Sequence, residues 1–339
     1  MKDIIIISIC VVLSGVVAME IGIITAIAEL MAGIIVQLML HHKLLSFDTP
    51  EMIEVLANIG VLTLMYVAGL EIDLDLLRTK FRKSIILGTS SFIFPFTAIL
   101  LLATYITPLF FLLDSQQALL IAIIISSTSI AVIYPVLKKR SGGVLGEEEQ
   151  LILGAAMIGE LLTISVWTIY FSTMSEVLIT FLIFLTVFTL LFPYFGRRIF
   201  SRFKGNVSEF EFKLILLLIL VIAVFSEKAG IEAAIIAFLV GIATSELVIE
   251  HEKLYDKLYG MVFGFLAPIF FFNVGLNINV MYLVHDPRAL LLMVLLVLVG
   301  FAATYKGVYF ATRFVTPHIS GYVAKLFNSN LTIGVVISL

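Results

Sequence analysis

Twelve predominantly apolar stretches follow one another along the chain, at about 3–18, 22–40, 53–70, 84–107, 115–137, 150–173, 176–196, 212–226, 231–249, 259–276, 288–313 and 319–339. Most approach the roughly 20 residues that a helix needs to cross a bilayer. Such a succession leaves few folds open, because in lipid every backbone N–H and C=O must be paired inside its own segment or in a closed barrel. Composition identifies the solvent: with 61% hydrophobic and 13% charged residues and a mean hydropathy of +1.16, the chain carries more apolar side chain than a soluble core of its 339 residues could bury. The reading is an all-α polytopic membrane protein. Its single cysteine, Cys10, excludes a disulfide framework and a Cys-based metal site. The last stretch runs to Leu339 without a polar flank, so twelve helices of an expected thirteen are present.

The placement of lysine and arginine sets an orientation. If the first helix starts outside, one side of the membrane receives the clusters at 78–83, 138–140 and 197–204 together with Lys213, Lys253, Lys257, Arg313 and Lys325. The other side receives Lys2, Lys43, Lys228 and Arg288. The excess places the clusters in the cytoplasm and the N-terminus outside, in the cell's inner or plasma membrane. Lys306 falls inside the eleventh stretch and belongs to neither side.

An internal repeat narrows the architecture further. Tyr66-Val67-Ala68-Gly69-Leu70-Glu71-Ile72-Asp73-Leu74 superimposes on Phe272-Asn273-Val274-Gly275-Leu276-Asn277-Ile278-Asn279-Val280. Ala32-Gly33-Ile34 matches Val240-Gly241-Ile242, and Thr128-Ser129-Ile130-Ala131 resembles Thr332-Ile333-Gly334-Val335, all at offsets of roughly 204 to 208 residues. The offset spans seven stretches, an odd number, so the second copy enters the membrane in the opposite direction. Inverted repeats of this kind are the architecture of secondary transporters, with the binding site at paired broken helices near the midplane. The division is therefore a first repeat at 1–173, a linker helix and loop at 174–210, and a second repeat at 211–339.

The candidate breaks are the run Ser126-Ser127-Thr128-Ser129, with Pro135 after it, and the repeat-related Asn328, Ser329, Asn330, Thr332 and Gly334. Hydroxyls in a membrane helix either bond to backbone groups freed at a break or only cap carbonyls and allow close packing. Glu160, about ten residues into the sixth stretch, is the sharpest feature, since a carboxylate at that depth must face water, pair or take up a proton. It can bind a dehydrated cation and then a proton in turn. The alternative is a permanently protonated structural glutamate. Lys306 either snorkels to the interface, pairs with a carboxylate or holds a broken helix. Glu29 reads as a capping or packing residue toward the cytoplasmic end of the second stretch. His41, His42, His251, His285 and His318 fall in loops or at helix ends without a second ligand at metal spacing. No phosphate loop, nucleophile elbow, cofactor motif or nucleic-acid signature is present. No second acid, base or metal cluster is expected beside Glu160, which argues against an enzyme.

Taken in order, Ala28-Glu29-Leu30-Met31-Ala32-Gly33, Ala68-Gly69-Leu70-Glu71, Ser126 to Val132, Ala155-Ala156 to Glu160, Ser226 to Gly230, Ala237 to Gly241 and Pro268 to Leu276 resemble the monovalent cation:proton antiporter superfamily, in particular its Kef-type and NapA-like branch. The resemblance covers nearly the whole chain. It implies an antiporter fold of thirteen helices with two discontinuous crossing helices beside the sixth, a dimerisation domain, a mobile core and elevator-type alternating access. The implied substrates are Na+ or K+ and H+, the implied assembly is a homodimer, and Kef-type relatives often continue into a cytoplasmic nucleotide-binding regulatory domain. Family members commonly carry two adjacent polar residues at the ion site, the second being essential. Here the pair is Gly159-Glu160, so the essential role passes to Glu160, assisted by Ser127, Thr128 and Ser129, while Gly159 supplies neither ligand nor charge. Lys306 occupies the family's basic position without its usual partner and is left to compensate Glu160 or a helix end. One carboxylate per cycle implies electroneutral exchange. A channel-like K+ efflux system and a Na+-coupled symporter of the same fold are the competing readings.

Overall fold

The computed structural model describes residues 2–41, 51–106, 114–171, 209–229, 232–249, 251–278 and 287–328, with a few positions between 180 and 198. It is helical throughout these segments: α1 (Lys2–Ile21), α2 (Thr25–His41), α3 (Glu51–Leu70), α4 (Leu74–Leu101), α5 (Ser115–Ser126), α6 (Ile130–Arg140), α7 (Glu147–Phe171), α8 (Phe210–Ala229), α9 (Ala233–Ile249), α10 (Glu252–Met261), α11 (Ala267–Leu276), α12 (Pro287–Val315) and α13 (Ser320–Leu326). Six of the spans are long and apolar enough to cross a membrane, and shorter apolar helices lie at Ile5–Ile21, Thr25–Leu40 and Ala233–Ile249. The fifth predicted stretch is two helices, α5 and α6. The tenth is also longer than its apolar run, with α10 and α11 joined by a π-helical turn, Val262–Leu266. In that turn Ala267 N–H bonds back to the Val262 carbonyl, just ahead of Pro268, which has no N–H to give. The seventh stretch, apart from those few positions, and the twelfth beyond 328 lie outside the described residues, with Ser329, Asn330, Thr332 and Gly334.

The helices sort into two packed groups. One contains α1, α2, α3, α8, α9, α10 and α11; the other contains α4, α5, α6, α7, α12 and α13; their principal helix contact is α6 against α3. Glycines set the closest crossings. A Cβ on Gly69 would strike the Phe238 carbonyl and Gly241, and one on Gly241 would strike the Tyr66 carbonyl and Gly69. Gly33 and Gly275 meet in the same reciprocal way, through the Phe272 and Leu30 carbonyls. These four are the glycines that the internal repeat relates, so α3 on α9 and α11 on α2 are one contact made twice. Where lipid surrounds the helices, burial of apolar surface no longer drives association and close backbone approach through small residues does. Tyr66 Oη and Thr244 Oγ1, 2.8 Å apart in the buried α3–α9 seam, add a hydrogen bond. Val12, Leu13, Met19 and Ile21 of α1 are exposed, as lipid-facing residues are.

The seam makes a first prediction. Gly69→Leu or Gly241→Leu should drive α3 and α9 apart, costing about 3 kcal/mol or more, and should remove the monodisperse peak on size exclusion in detergent. Gly15→Leu, whose Cβ would meet nothing within 4 Å, should leave that peak in place.

Candidate ion-binding site

The site forms where one membrane span is interrupted. The α5 N-terminus is fixed by a capping box: Asp114 Oδ1 accepts from Gln117 N at 2.7 Å, and Gln117 Oε1 accepts from Asp114 N at 3.1 Å. At its other end Ser126 Oγ donates to the Ala122 carbonyl at 2.7 Å and Ser127 Oγ to that of Ile124 at 2.9 Å. Ser127 N–H bonds to the same Ile124 carbonyl, one of the last four of α5, which the helix end would otherwise leave open. Ser127 and Ser129 are extended, with ψ of 140° and 111°. The chain then resumes as α6, whose N-cap, Ser129, makes no side-chain cap bond.

Glu160 of α7 takes that role instead. Its Oε1 accepts from Ile130 N at 2.9 Å, so the carboxylate lies on the positive end of the α6 dipole. Its Oε2 is buried and has no hydrogen-bond partner. Glu160, Ser127, Thr128 and Ser129 together line a cavity of about 600 Å³. Asn58 and Met65 of α3, Thr163 of α7, Glu232 and the first turn of α9, and Phe270 and Val274 of α11 complete much of its wall. The residues drawn from α9 and α11 lie toward the helix ends remote from the basic clusters and those from α3 and α7 near mid-helix, so the cavity runs from the middle of the molecule toward that side.

The basic half holds a cluster of charged contacts between helices. There Glu71, just after α3, pairs with Lys138 of α6 and accepts from the Tyr255 hydroxyl of α10; the Glu71 and Lys138 side chains are each 11% exposed. Lys138 Nζ lies 5.4 Å from the centre of the Tyr259 ring. Gln150 of α7 donates to the Glu71 carbonyl and accepts from Asp73 N at 3.2 Å. Lys139 Nζ donates to the Ile23 carbonyl at 2.9 Å. The three cations that end α6 also complement the negative end of its dipole.

The structure thus brings Ser127, Thr128, Ser129 and Glu160 together and separates them from the other candidates. Gly159 faces α4, where a Cβ would stand 3.0 Å from Ser91 Oγ and 3.5 Å from Thr128 Oγ1, and it does not line the cavity. Lys306 is exposed on α12 and borders a different cavity with Tyr305, Lys325 and Asn328; it does not compensate Glu160 here. Glu29 is buried in α2, at 5% exposure, and is not among the cavity residues. Asn330 and Thr332 lie outside the described residues. The expectation of no second acid near Glu160 is corrected by Glu232, which lines the same cavity. Its signal in the sequence was a lone carboxylate at the first turn of an apolar run, a position that looks like an ordinary solvated flank. Among the described residues no group of three His, Cys, Asp or Glu could hold a resident metal ion.

Comparison with known proteins places this geometry in a family. A family model described as the transmembrane sodium/hydrogen exchanger matches residues 4–338. The chain belongs to the sodium/hydrogen exchanger family. Among its relatives, a probable Na+/H+ antiporter 3 of Methanocaldococcus jannaschii is 27% identical over 284 residues, 81% of this chain and 71% of that protein. The Na+/H+-K+ antiporter GerN of Bacillus cereus is 25% identical over 280 residues, 79% of this chain and 68% of that protein. The structure of the sodium proton antiporter MjNhaP1 from Methanocaldococcus jannaschii superimposes with a TM-score of 0.57 at 14% identity, covering 100% of this chain and 94% of that one. That likeness concerns the fold: this exchanger-family chain has the all-α antiporter architecture, and it is a multi-pass membrane protein.

Proposed function

We propose that this exchanger-family chain is a secondary transporter that exchanges Na+ for H+, with K+ as the alternative cation, and that Glu160 carries both ions in turn. The observation that carries the reading is the divided carboxylate. One oxygen is held by the α6 N-terminus and the other is buried without a partner at the wall of a cavity. A partnerless buried carboxylate oxygen needs a proton or a cation. Ser127, Thr128 and Ser129 supply neutral oxygens beside it, suited to a hard monovalent cation. With glycine at 159, one carboxylate alternates between the two ions at the break, which gives one proton per cation and no net charge moved.

Alternating access is assigned to relative sliding of the two helix groups, in the manner of an elevator. The support is the division into two groups whose principal helix contact is α6 against α3, and a cavity at Glu160 that lies away from the Glu71, Lys138 and Tyr255 cluster. The two-repeat division at 1–173 and 211–339 is supported by the reciprocal Gly33–Gly275 and Gly69–Gly241 crossings. The basic ends are assigned to the cytoplasm, with the N-terminus outside and the protein in the plasma membrane. A homodimer through the group containing α1 is the proposed assembly, since that helix turns large apolar side chains outward.

The test is proton movement in proteoliposomes of the full chain under an imposed pH gradient, with NaCl, KCl or LiCl added in turn. The expected result is collapse of the gradient on adding Na+, undiminished when valinomycin and K+ clamp the membrane potential at zero. Proton movement that ignores every cation would overturn exchange. Cation flux that needs no counter-moving proton would favour a channel or a symporter.

A further inference from the structure

Two carboxylates, Glu160 and Glu232, line the cavity, and among its described lining residues there is no lysine, arginine or histidine. Its remaining polar lining is neutral: Asn58, Ser127, Thr128, Ser129 and Thr163. A cleft with apolar walls and charge of one sign concentrates counter-ions and repels co-ions. This composition favours an inorganic cation and disfavours an organic anion. Glu232 stands just before Ala233, at the end of α9 remote from the basic clusters, whereas Glu160 lies near the middle of α7. Glu232 is therefore the outer of the two. Its side chain is exposed, and among the described residues it makes no hydrogen bond or ion pair that would already employ its charge. Glu160 Oε2, buried and partnerless on the same cavity, independently marks the inner end as a place for a ligand.

We propose that Glu232 is a second, outer cation-binding carboxylate of this cavity, which takes up a partly hydrated monovalent cation before it reaches Glu160 at the helix break. The inference rests on the exchange reading and adds a specificity-determining residue to it. It also gives physical sense to Gly159. The second anionic group that the break itself lacks is supplied by another helix, farther out, where it attracts the cation without joining the ion and proton exchange at the break. The first turn of α9 beside it favours a negative charge at this position. A purely local role, as a favourable charge at the α9 N-terminus, predicts a small loss of thermal stability and nothing else.

The deciding experiment compares wild type, Glu232→Gln and Glu232→Asp of the full chain by two readouts. The first is the initial rate of Na+-driven proton movement in proteoliposomes, with Na+ added on the side to which the cavity opens. The second is the Na+ concentration that half-saturates thermal stabilisation in detergent, which needs no transport. Both the KM and the half-saturating concentration should rise about five- to tenfold in Glu232→Gln, the scale of losing one nearby charge in a partly solvated cleft. The change should fall on KM rather than on kcat, the proton-to-cation ratio should be unchanged, and Glu232→Asp should recover most of the affinity. Added N-methylglucamine chloride should weaken Na+ binding in wild type more than in Glu232→Gln, because it screens the charge that the variant lacks. Unchanged KM and half-saturation in Glu232→Gln would overturn the proposal, as would a loss of turnover with Na+ binding intact. Absence of exchange in wild type would count against the exchange reading alone, and the thermal readout would still decide the role of Glu232.

Discussion

Glu160→Gln is expected to abolish cation-linked proton movement while leaving the fold in place. The amide oxygen can still accept from Ile130 N, so the α6 cap survives, but the side chain can no longer bind and release a proton or neutralise a cation. Exchange should fall at least about a hundredfold, since the substitution removes the carboxylate at the break. Glu160→Ala separates the two roles. It removes the cap as well, a hydrogen bond to a charged group worth about 1.5–3 kcal/mol, and should lower the melting temperature where Glu160→Gln does not. Competition between the two ions at one carboxylate also fixes a pH dependence. The protonated acid does not bind the cation, so the KM for Na+ should rise as pH falls, approaching about tenfold per pH unit once the proton form predominates. Residual Na+/H+ exchange in Glu160→Gln, or a KM indifferent to pH, would remove the carboxylate from the ion path and move the search to Glu232.

The parts of this fold that could be read from the sequence are those written in residues unusual for their surroundings. Gly33, Gly69, Gly241 and Gly275 stand out because small residues recur at one offset within apolar runs, and the structure places them at two close helix crossings. Ser127, Thr128, Ser129 and Glu160 stand out as polar groups at bilayer depth, and they converge. Lys306 was legible as a charge but not in direction. A helix apolar on every side gives no pattern to show which face meets protein and which meets lipid, and α12 turns Lys306 away from Glu160. Glu232 was hidden by its position at the edge of a run, where carboxylates are ordinarily solvated. Glu71 is legible as part of the repeated string, whose second copy carries Asn277 instead, and of the family motif that ends on it, but neither names its partners. Its partners Lys138 and Tyr255 lie 67 and 184 residues away along the chain, and no local spacing links them.

That triad supports the second large prediction. Glu71 and Lys138 are nearly buried and belong to different helix groups, α3 and α6, with Tyr255 of α10 on the same carboxylate. Removing one partner of a buried pair costs about 3–5 kcal/mol, because the other charge is left uncompensated. In Lys138→Met the Tyr255 hydroxyl still serves Glu71, so the lower end, about 3 kcal/mol, is the better figure. If the triad holds the groups together on the basic side, this cost falls on the state seen here and not on one in which the groups have parted, which shifts their ratio by about a hundredfold. The shift can be read by alkylation of a cysteine placed at Val61 in the cavity wall, with Cys10 replaced by serine. A membrane-impermeant maleimide should label Val61→Cys mainly from the side remote from the basic clusters in the parent. In Lys138→Met, labelling from the basic side should increase at least about tenfold and labelling from the other side should fall. Adding Glu71→Gln should reverse much of this, since it removes the stranded charge, and that non-additivity distinguishes a paired latch from two independent effects. If Lys138→Met leaves both rates as in the parent, the triad is a static packing feature and the closing contact must lie in Gln150 and Lys139.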